Sequence, residues 1–365
     1  MREIHGKTLL EMTSKAGSLA RRLPPLPTIS DILRMYGIRA KKNLSQNFIM
    51  DPRINKKFAN AGGSLVNKYV VEVGPGPGGI TRALLEAGAK EVHVVEKDPR
   101  FLSSLQLLKE AAGEDKLHIT IGDCLHYNPQ ETFPSSLGTS WDDPDPPNLA
   151  LVGNLPFNVA TPLLIRLLKA MDTRSNIYSF GRVPSLFTYQ HEVALRMAAP
   201  PGDPERSRLS VVVQNWTEVD YIFNLPGGAF VPPPEVQVGI VKLIPLREPY
   251  ITGLPFSFIN RVVTSIFTGK QKRLKNSLSI SLFPRKYGKD LSSTLLKMAG
   301  IPFDETAINL TMDEIGSICH AYKQLCEDEG IETNIENIED SQTTTHDFPH
   351  ENKTDKNLMQ FDIRL

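Results

Sequence analysis

The chain has 365 residues, with 41 basic and 41 acidic side chains, 40% hydrophobic content and three cysteines. That length accommodates two domains, or one enlarged domain, around a sizeable core. No run of about 18 apolar residues occurs, which excludes a membrane-spanning helix. Cys124, Cys319 and Cys326 form no CxxC pair, which argues against a disulfide framework or a cysteine-rich zinc site, so no metal is expected.

The zero net charge is unevenly spread. From Glu327 to Leu365 there are 11 acids and 3 bases, a balance of −8, so the remainder carries +8. A basic body is the electrostatic footprint of a polyanion binder, although a solvated surface with an incidental tail would give the same count. Residues 1–27 hold five bases and two acids among small and hydroxyl residues, which fits an organelle presequence loosely and a disordered basic arm equally well. From Thr28 the spacing of Ile29, Ile32, Leu33 and Tyr36 predicts a helix ended by Gly37, and a second helix follows Asp51-Pro52.

Tyr69 to Val73 reads as a strand running into a glycine cluster, then Ile80 to Ala87 as a helix closed by Gly88. Glu91 to Glu96, Leu117 to Ile121 and Leu149 to Val152 are further strands, with a helix over Phe101 to Ala112 and a Pro/Ser/Asp-rich loop over residues 134–148. Strands alternating with helices predict a parallel sheet covered on both faces. Leu186 to Gln190 is strand-like and His191 to Ala199 helical; β patterning resumes at Ser210 to Val213, Val219 to Phe223 and Val238 to Leu243. Residues 256–330 read as short helices, with a domain boundary near Pro245 to Pro249, and the last 35 or so residues are poor in apolar side chains and predicted to be disordered.

Five elements carry chemistry. Gly74-Pro75-Gly76-Pro77-Gly78-Gly79 lies between a strand and a helix, where open α/β sheets bind ligands. No Lys-Ser/Thr pair follows, which disfavours a phosphate-cradling loop. Glu72 before the glycines would suit the cationic end of S-adenosylmethionine. Glu96 ends the second strand, 22 residues after Gly74, where an acid accepts from both ribose hydroxyls of a nucleoside cofactor. Lys97 can flank the adenosine, or be an ordinary surface lysine. Gly122-Asp123-Cys124 ends the third strand; the Asp123 carboxylate can accept from an adenine amino group or cap a helix. Asn154-Leu155-Pro156-Phe157 ends the fourth. There the Asn154 side-chain oxygen and the carbonyl of Leu155 or Pro156 can hold an aromatic amine for methyl transfer while Phe157 stacks on the base. Phe230-Val231-Pro232-Pro233-Pro234-Glu235-Val236 is a stiff loop from which Phe230 can close the other face of that base, or a rigid connector.

In this order, with Gln46-Asn47-Phe48 ahead of them, these motifs resemble the ribosomal RNA adenine dimethyltransferases over roughly residues 28–325. Arg22 to Ile29 and Leu44 to Phe48 are similar to the mitochondrial branch, also called mitochondrial transcription factor B type. The resemblance implies a Rossmann-like class I methyltransferase domain over 28–248 and a small all-α, RNA-contacting domain over 249–330. A presequence over 1–27 and an acidic tail over 331–365 would flank them. It implies S-adenosylmethionine contacts at Gln46, Asn47, Ile49, Gly74, Gly76, Glu96, Lys97, Asp123, Cys124 and Asn154, and a target pocket at Asn154, Leu155, Pro156, Phe157 and Phe230. It also implies a small-subunit rRNA hairpin and assembling subunit as partners, action as a monomer in the mitochondrial matrix, and a place for the mitochondrial transcription machinery. Ile49-Met50 replaces a common Leu-Leu, and Gly239 stands where the family often has serine. Basic clusters at Lys41-Lys42, Arg206 with Arg208, and Lys270, Lys272, Arg273 and Lys275 are candidate RNA-phosphate contacts, or solvated surface. Three other readings compete: a DNA adenine methyltransferase, a dehydrogenase, and a non-catalytic methyltransferase-fold factor. Leu155 where DNA enzymes carry proline disfavours the first; Asn154 to Phe157 has no place in the second.

Overall fold

The computed structural model describes residues 23–41, 46–283 and 290–331. Residues 1–22 of the expected presequence, Lys42, and the acidic tail from residue 332 lie outside the described residues. The chain divides into two compact units, Met1–Lys323 and Gln324–Leu365. Of the second, residues 324–331 are described, a helical end in which Gln324 donates to Asp328 at 2.9 Å.

Local signals place the first helices where the pattern predicts. Helix α1, Ile29–Met35, is started by Thr28, whose hydroxyl accepts from the Asp31 N–H at 3.1 Å while the Asp31 carboxylate accepts from the Thr28 N–H at 3.3 Å. Helix α2, Pro52–Ala61, begins at Asp51 with proline in its first turn. Between them lies a two-residue strand, β1, Phe48–Ile49.

The sheet has seven strands. β2 (Tyr69–Val73), β3 (Glu91–Glu96), β4 (Leu117–Ile121), β5 (Leu149–Gly153) and β6 (Ser185–Gln190) run parallel in the order β4-β3-β2-β5-β6. β9 (Val238–Pro245) is antiparallel to both β6 and β7 (Thr217–Leu225) and lies between them, so β7 is the edge strand. β2 and β5 are buried along almost their whole length, as strands covered on both faces must be. The crossovers run through α3 (Gly79–Glu86), α4 (Leu102–Ala112) and α5 (Phe157–Asp172), and α6 (His191–Ala198) follows β6. Strand order reverses between β2 and β5, which opens the crevice where such sheets bind ligands. A separate antiparallel pair joins β1 to β8 (Phe230–Val231), with Ile49 opposite Phe230.

One expected strand is a helix. Ser210 to Val213 lies inside α7, Arg208–Trp216. Its valines suggest a strand because they are β-branched, and Val211, Val212 and Val213 are all buried in succession, which masks the helical period locally. The Ser207 N–H donates to the Ser210 hydroxyl at 2.9 Å and starts the helix. Helix α5, in a segment the sequence reading leaves unassigned, runs sixteen residues with Pro162 in its second turn.

The expected helices follow: α8 (Phe256–Phe267), α9 (Leu274–Ser281), α10 (Leu291–Ala299) and α11 (Met312–Glu329). Up to Lys323 they belong to the same compact unit as the sheet. Residue 249 therefore marks a change of secondary structure within one packed body. The Phe256 N–H donates to Asp172 at 3.0 Å, and the Trp216 and Phe256 rings lie 5.1 Å apart. Arg206 completes the join: it is fully buried, and its guanidinium donates to the carbonyls of Ala199 at 3.0 Å and Leu310 at 3.1 Å. Gly239 also has a packing reason. A Cβ there would come within 2.6 Å of the Ala194 Cβ, so α6 lies too close to β9 for the serine the family often carries.

Candidate active site

A cavity of about 240 Å³ opens at the carboxyl ends of β2, β3, β4 and β5. It is lined by all ten residues expected to touch cofactor: Gln46, Asn47, Ile49, Gly74, Gly76, Glu96, Lys97, Asp123, Cys124 and Asn154. The glycine loop forms one wall. Gly74 has φ +68°, and a Cβ on it would meet the Leu155 side chain at 2.9 Å, so both conformation and close approach demand glycine.

Glu96 is 5% exposed and ends β3. One carboxylate oxygen accepts from the Gly76 N–H at 2.9 Å, the other from the Asp98 N–H at 2.7 Å. Each oxygen keeps lone-pair capacity for a hydroxyl. Burial pushes the carboxyl above its ordinary value, opposed by these amide donors. Beside it Asp98, 3% exposed, accepts from Arg100 at 2.6 Å and from the Gln46 amide at 3.1 Å, and chiefly the Arg100 hydrogen bonds hold it down at about 2. Gln46 in turn accepts from the Lys41 N–H at 3.0 Å. This Lys41–Gln46–Asp98–Arg100 chain of hydrogen bonds holds Gln46 in the cavity wall; only Gln46 and Lys41 were singled out by sequence.

Asp123 is paired to Lys97 at 2.8 Å and accepts from the Leu125 N–H at 3.0 Å. Burial pushes the Asp123 carboxyl up, but Lys97 and the Leu125 amide outweigh it and leave the group below its ordinary value. Lys97 thus holds Asp123 at the cavity wall. Burial raises the Cys124 thiol to about 11, with the Asp123 charge adding to the effect, so this cysteine is a wall and no nucleophile. No disulfide joins Cys124, Cys319 and Cys326.

Asn154 follows β5 directly. Its amide nitrogen donates to the Asn47 carbonyl at 3.0 Å, and its oxygen accepts from the Thr188 hydroxyl at 2.9 Å. Leu155 and Pro156 line the same cavity, as do Asn158 and Val159 of α5. The two expected stacking rings do not. Phe157 is partly buried against the core, and Phe230 is 2% exposed, held there by the pairing of β8 with β1. In this structure Phe230 belongs to the hydrophobic core, in the same cluster as Phe48, Ile49 and Val238.

The basic clusters fare unequally. Lys41, Lys272 and Arg273 are exposed. Lys275 is paired to Asp290 at 2.6 Å, Lys270 donates to the Pro204 carbonyl at 2.9 Å, and Arg208 donates to Thr264 at 3.3 Å. Arg206 cannot reach RNA from inside the protein, which corrects its expected role. At the opposite end of the sheet Glu91, His93 and His118 bring three potential metal-ligand atoms within 4.8 Å of one another. The histidine rings are stacked at 4.3 Å, and Glu91 lies 3.2 Å from His93 and 3.4 Å from His118.

The donor set fits a nucleoside cofactor. A buried carboxylate offers lone pairs to a ribose diol, a glycine loop permits backbone approach, and a second carboxylate stands at the next strand end. Glu96→Ala is expected to weaken S-adenosylmethionine binding about 10- to 100-fold, from the loss of charge-assisted hydrogen bonds. Calorimetric titration of the folded variant checks this, and unchanged affinity would remove Glu96 from the site.

A family model described as ribosomal RNA adenine dimethylase matches residues 37–318. Dimethyladenosine transferase 1, mitochondrial, of Xenopus tropicalis is 43% identical over 312 residues, covering 85% of this chain and 89% of the relative. The human protein of that name is 43% identical over 308 residues, covering 84% and 88%. A solved dimethyladenosine transferase from Plasmodium falciparum superposes with a TM-score of 0.57 at 24% identity, covering 77% of this chain and 98% of that one. The 23S rRNA methyltransferase ErmE superposes with 0.52 at 22%, covering 76% and all of that chain. Both show a shared fold.

Proposed function

The chain belongs to the ribosomal RNA adenine dimethylase family, and from that premise we propose how its residues carry out the reaction and on which RNA. It is an S-adenosylmethionine-dependent rRNA adenine dimethyltransferase. The proposed target is a pair of adjacent adenines in the 3′-terminal hairpin of small-subunit rRNA, each methylated twice at N6, in support of subunit assembly. The protein acts in mitochondria, as its relatives' names support, and the matrix is the compartment we propose.

The observation that carries the mechanism is the clamped Asn154 amide in the wall of the cavity that Glu96 shares. S-adenosylmethionine, when bound, supplies an electrophilic methyl group. Glu96 holds the ribose, and Asp123 serves the adenine end. Asn154 Oδ1 and the carbonyl of Leu155 or Pro156 accept from the target NH2, drawing the N6 lone pair out of conjugation with the ring and towards the methyl carbon. The proton shed by N6 passes to water; Lys97 in the cavity wall is a charged ammonium paired with Asp123 and takes no proton, and a sulfonium donor requires no side-chain base. Rate comes chiefly from positioning. Lys41, Lys272 and Arg273 are the phosphate contacts we favour, because they are the exposed members of their clusters. A hairpin loop presents its bases unstacked more cheaply than a duplex does.

The test is mass spectrometry of small-subunit rRNA incubated with the protein and S-adenosylmethionine. N6,N6-dimethyladenosine in the 3′-terminal hairpin is the expected product. No methylation of an assembled subunit by cofactor-bound protein would replace this reading with a non-catalytic factor in transcription or ribosome assembly.

A further inference from the structure

Thr188 touches neither the cavity nor the expected position of either substrate, yet it is fully buried on β6 with its hydroxyl committed to Asn154 Oδ1 at 2.9 Å. We infer that Thr188 is a positioning residue that fixes which end of the Asn154 amide faces the target base. The inference rests on the reading that Asn154 holds the target amine.

An asparagine side chain is nearly symmetric in shape and opposite in chemistry at its two ends: one end accepts, the other donates. Flipped by half a turn, Asn154 would present NH2 to the amine it must hold, donor against donor. Two contacts oppose the flip. The Asn47 carbonyl is acceptor-only and takes Nδ2 at 3.0 Å. The Thr188 hydroxyl donates to Oδ1 and leaves that oxygen a second lone pair for the target. A hydroxyl can also accept, so Thr188 alone does not dictate the orientation; with Asn47 beside it, the flipped amide loses its partner at the carbonyl. The register supports a rigid arrangement. Leu151, Val152 and Gly153 of β5 pair with Ser185, Leu186 and Phe187 of β6, so the strand ends carrying Asn154 and Thr188 are held side by side. Thr188 is also paired with Ile240 of β9 on its other side. The clamp makes the site an acceptor, which selects an exocyclic amine and rejects a base carrying a carbonyl at that place.

The experiment uses the full-length protein and assembled small subunits, with Thr188→Ser, Thr188→Cys and Thr188→Val. Serine keeps the donor, cysteine offers a weak one and valine none, at closely similar size. The expected result is kcat falling in that order, serine within about threefold of parent and valine down about tenfold or more. The KM for S-adenosylmethionine and the melting temperature should stay near parent, the pattern of an orientation lost at the reacting atom. If valine does not fold, the serine and cysteine pair still decides. Equal kcat across the folded variants overturns the inference, and so does a folded serine variant as slow as cysteine or valine. A parent protein that makes no dimethyladenosine overturns the underlying reading of Asn154 instead, so the two failures are distinguishable.

Discussion

Asn154→Ala is expected to slow methyl transfer about 10²- to 10³-fold, the usual cost of losing one preorganised hydrogen-bonding group at a reacting atom. The amide makes two contacts, to Asn47 and to Thr188, and lines the cavity. Removing it takes away the acceptor that turns the N6 lone pair towards the methyl group. It also frees the Asn47 carbonyl, so the segment over the cofactor loosens and S-adenosylmethionine affinity should fall a few-fold. Stability should change little, since Asn154 is only partly buried and water can reach the site. Single-turnover measurement of methyl incorporation into small-subunit rRNA checks the rate. A purified variant working near the parent rate would show that the amine is held elsewhere.

Much of this site was legible in the sequence because its chemistry sits at strand ends. Each of Gly74, Glu96, Asp123 and Asn154 follows or closes a short β-rich run, and parallel strands deliver their carboxyl ends to one edge. Long-range pairing was not legible. Nothing local says that Phe230 lies opposite Ile49, and that pairing puts the ring in the core. Arg206 and Arg208 read alike as basic residues just ahead of a β-patterned run, but only the first is swallowed by the junction with Leu310. The Val211 to Val213 run shows the limit of periodicity, because three consecutive buried β-branched residues read as a strand although they lie in a helix. Asp98 and Thr188 were missed for a related reason. Each acts on a residue more than thirty positions away, Gln46 and Asn154, and neither carries a motif.

Glu72→Gln should stabilise the cofactor-free protein at pH 8 by something on the order of a few kcal/mol, and not at all near pH 4. Glu72 lies in the middle of the sheet, between Val94 of β3 and Val152 of β5, and is 1% exposed. One of its carboxylate oxygens has no hydrogen-bond partner among the described residues. Burial pushes the carboxyl from its ordinary 4.5 up to about 8, the Glu96 charge adds to this, and the Thr81 hydroxyl pulls the other way. The folded value is raised above the unfolded one, so the folded state holds the proton more tightly. Its stabilising effect is complete below pH 4.5 and is lost as pH rises through about 8, where ionising the group costs desolvation that no partner repays. Glutamine keeps the shape and cannot ionise, so the variant's stability should be flat in the window where the parent's declines. Denaturant midpoints at pH 4, 6 and 8 for both proteins make the comparison. Parallel pH curves would mean that Glu72 is ionised and paired in solution, and that the space between the glycine loop and the sheet is wetter than the packing shows.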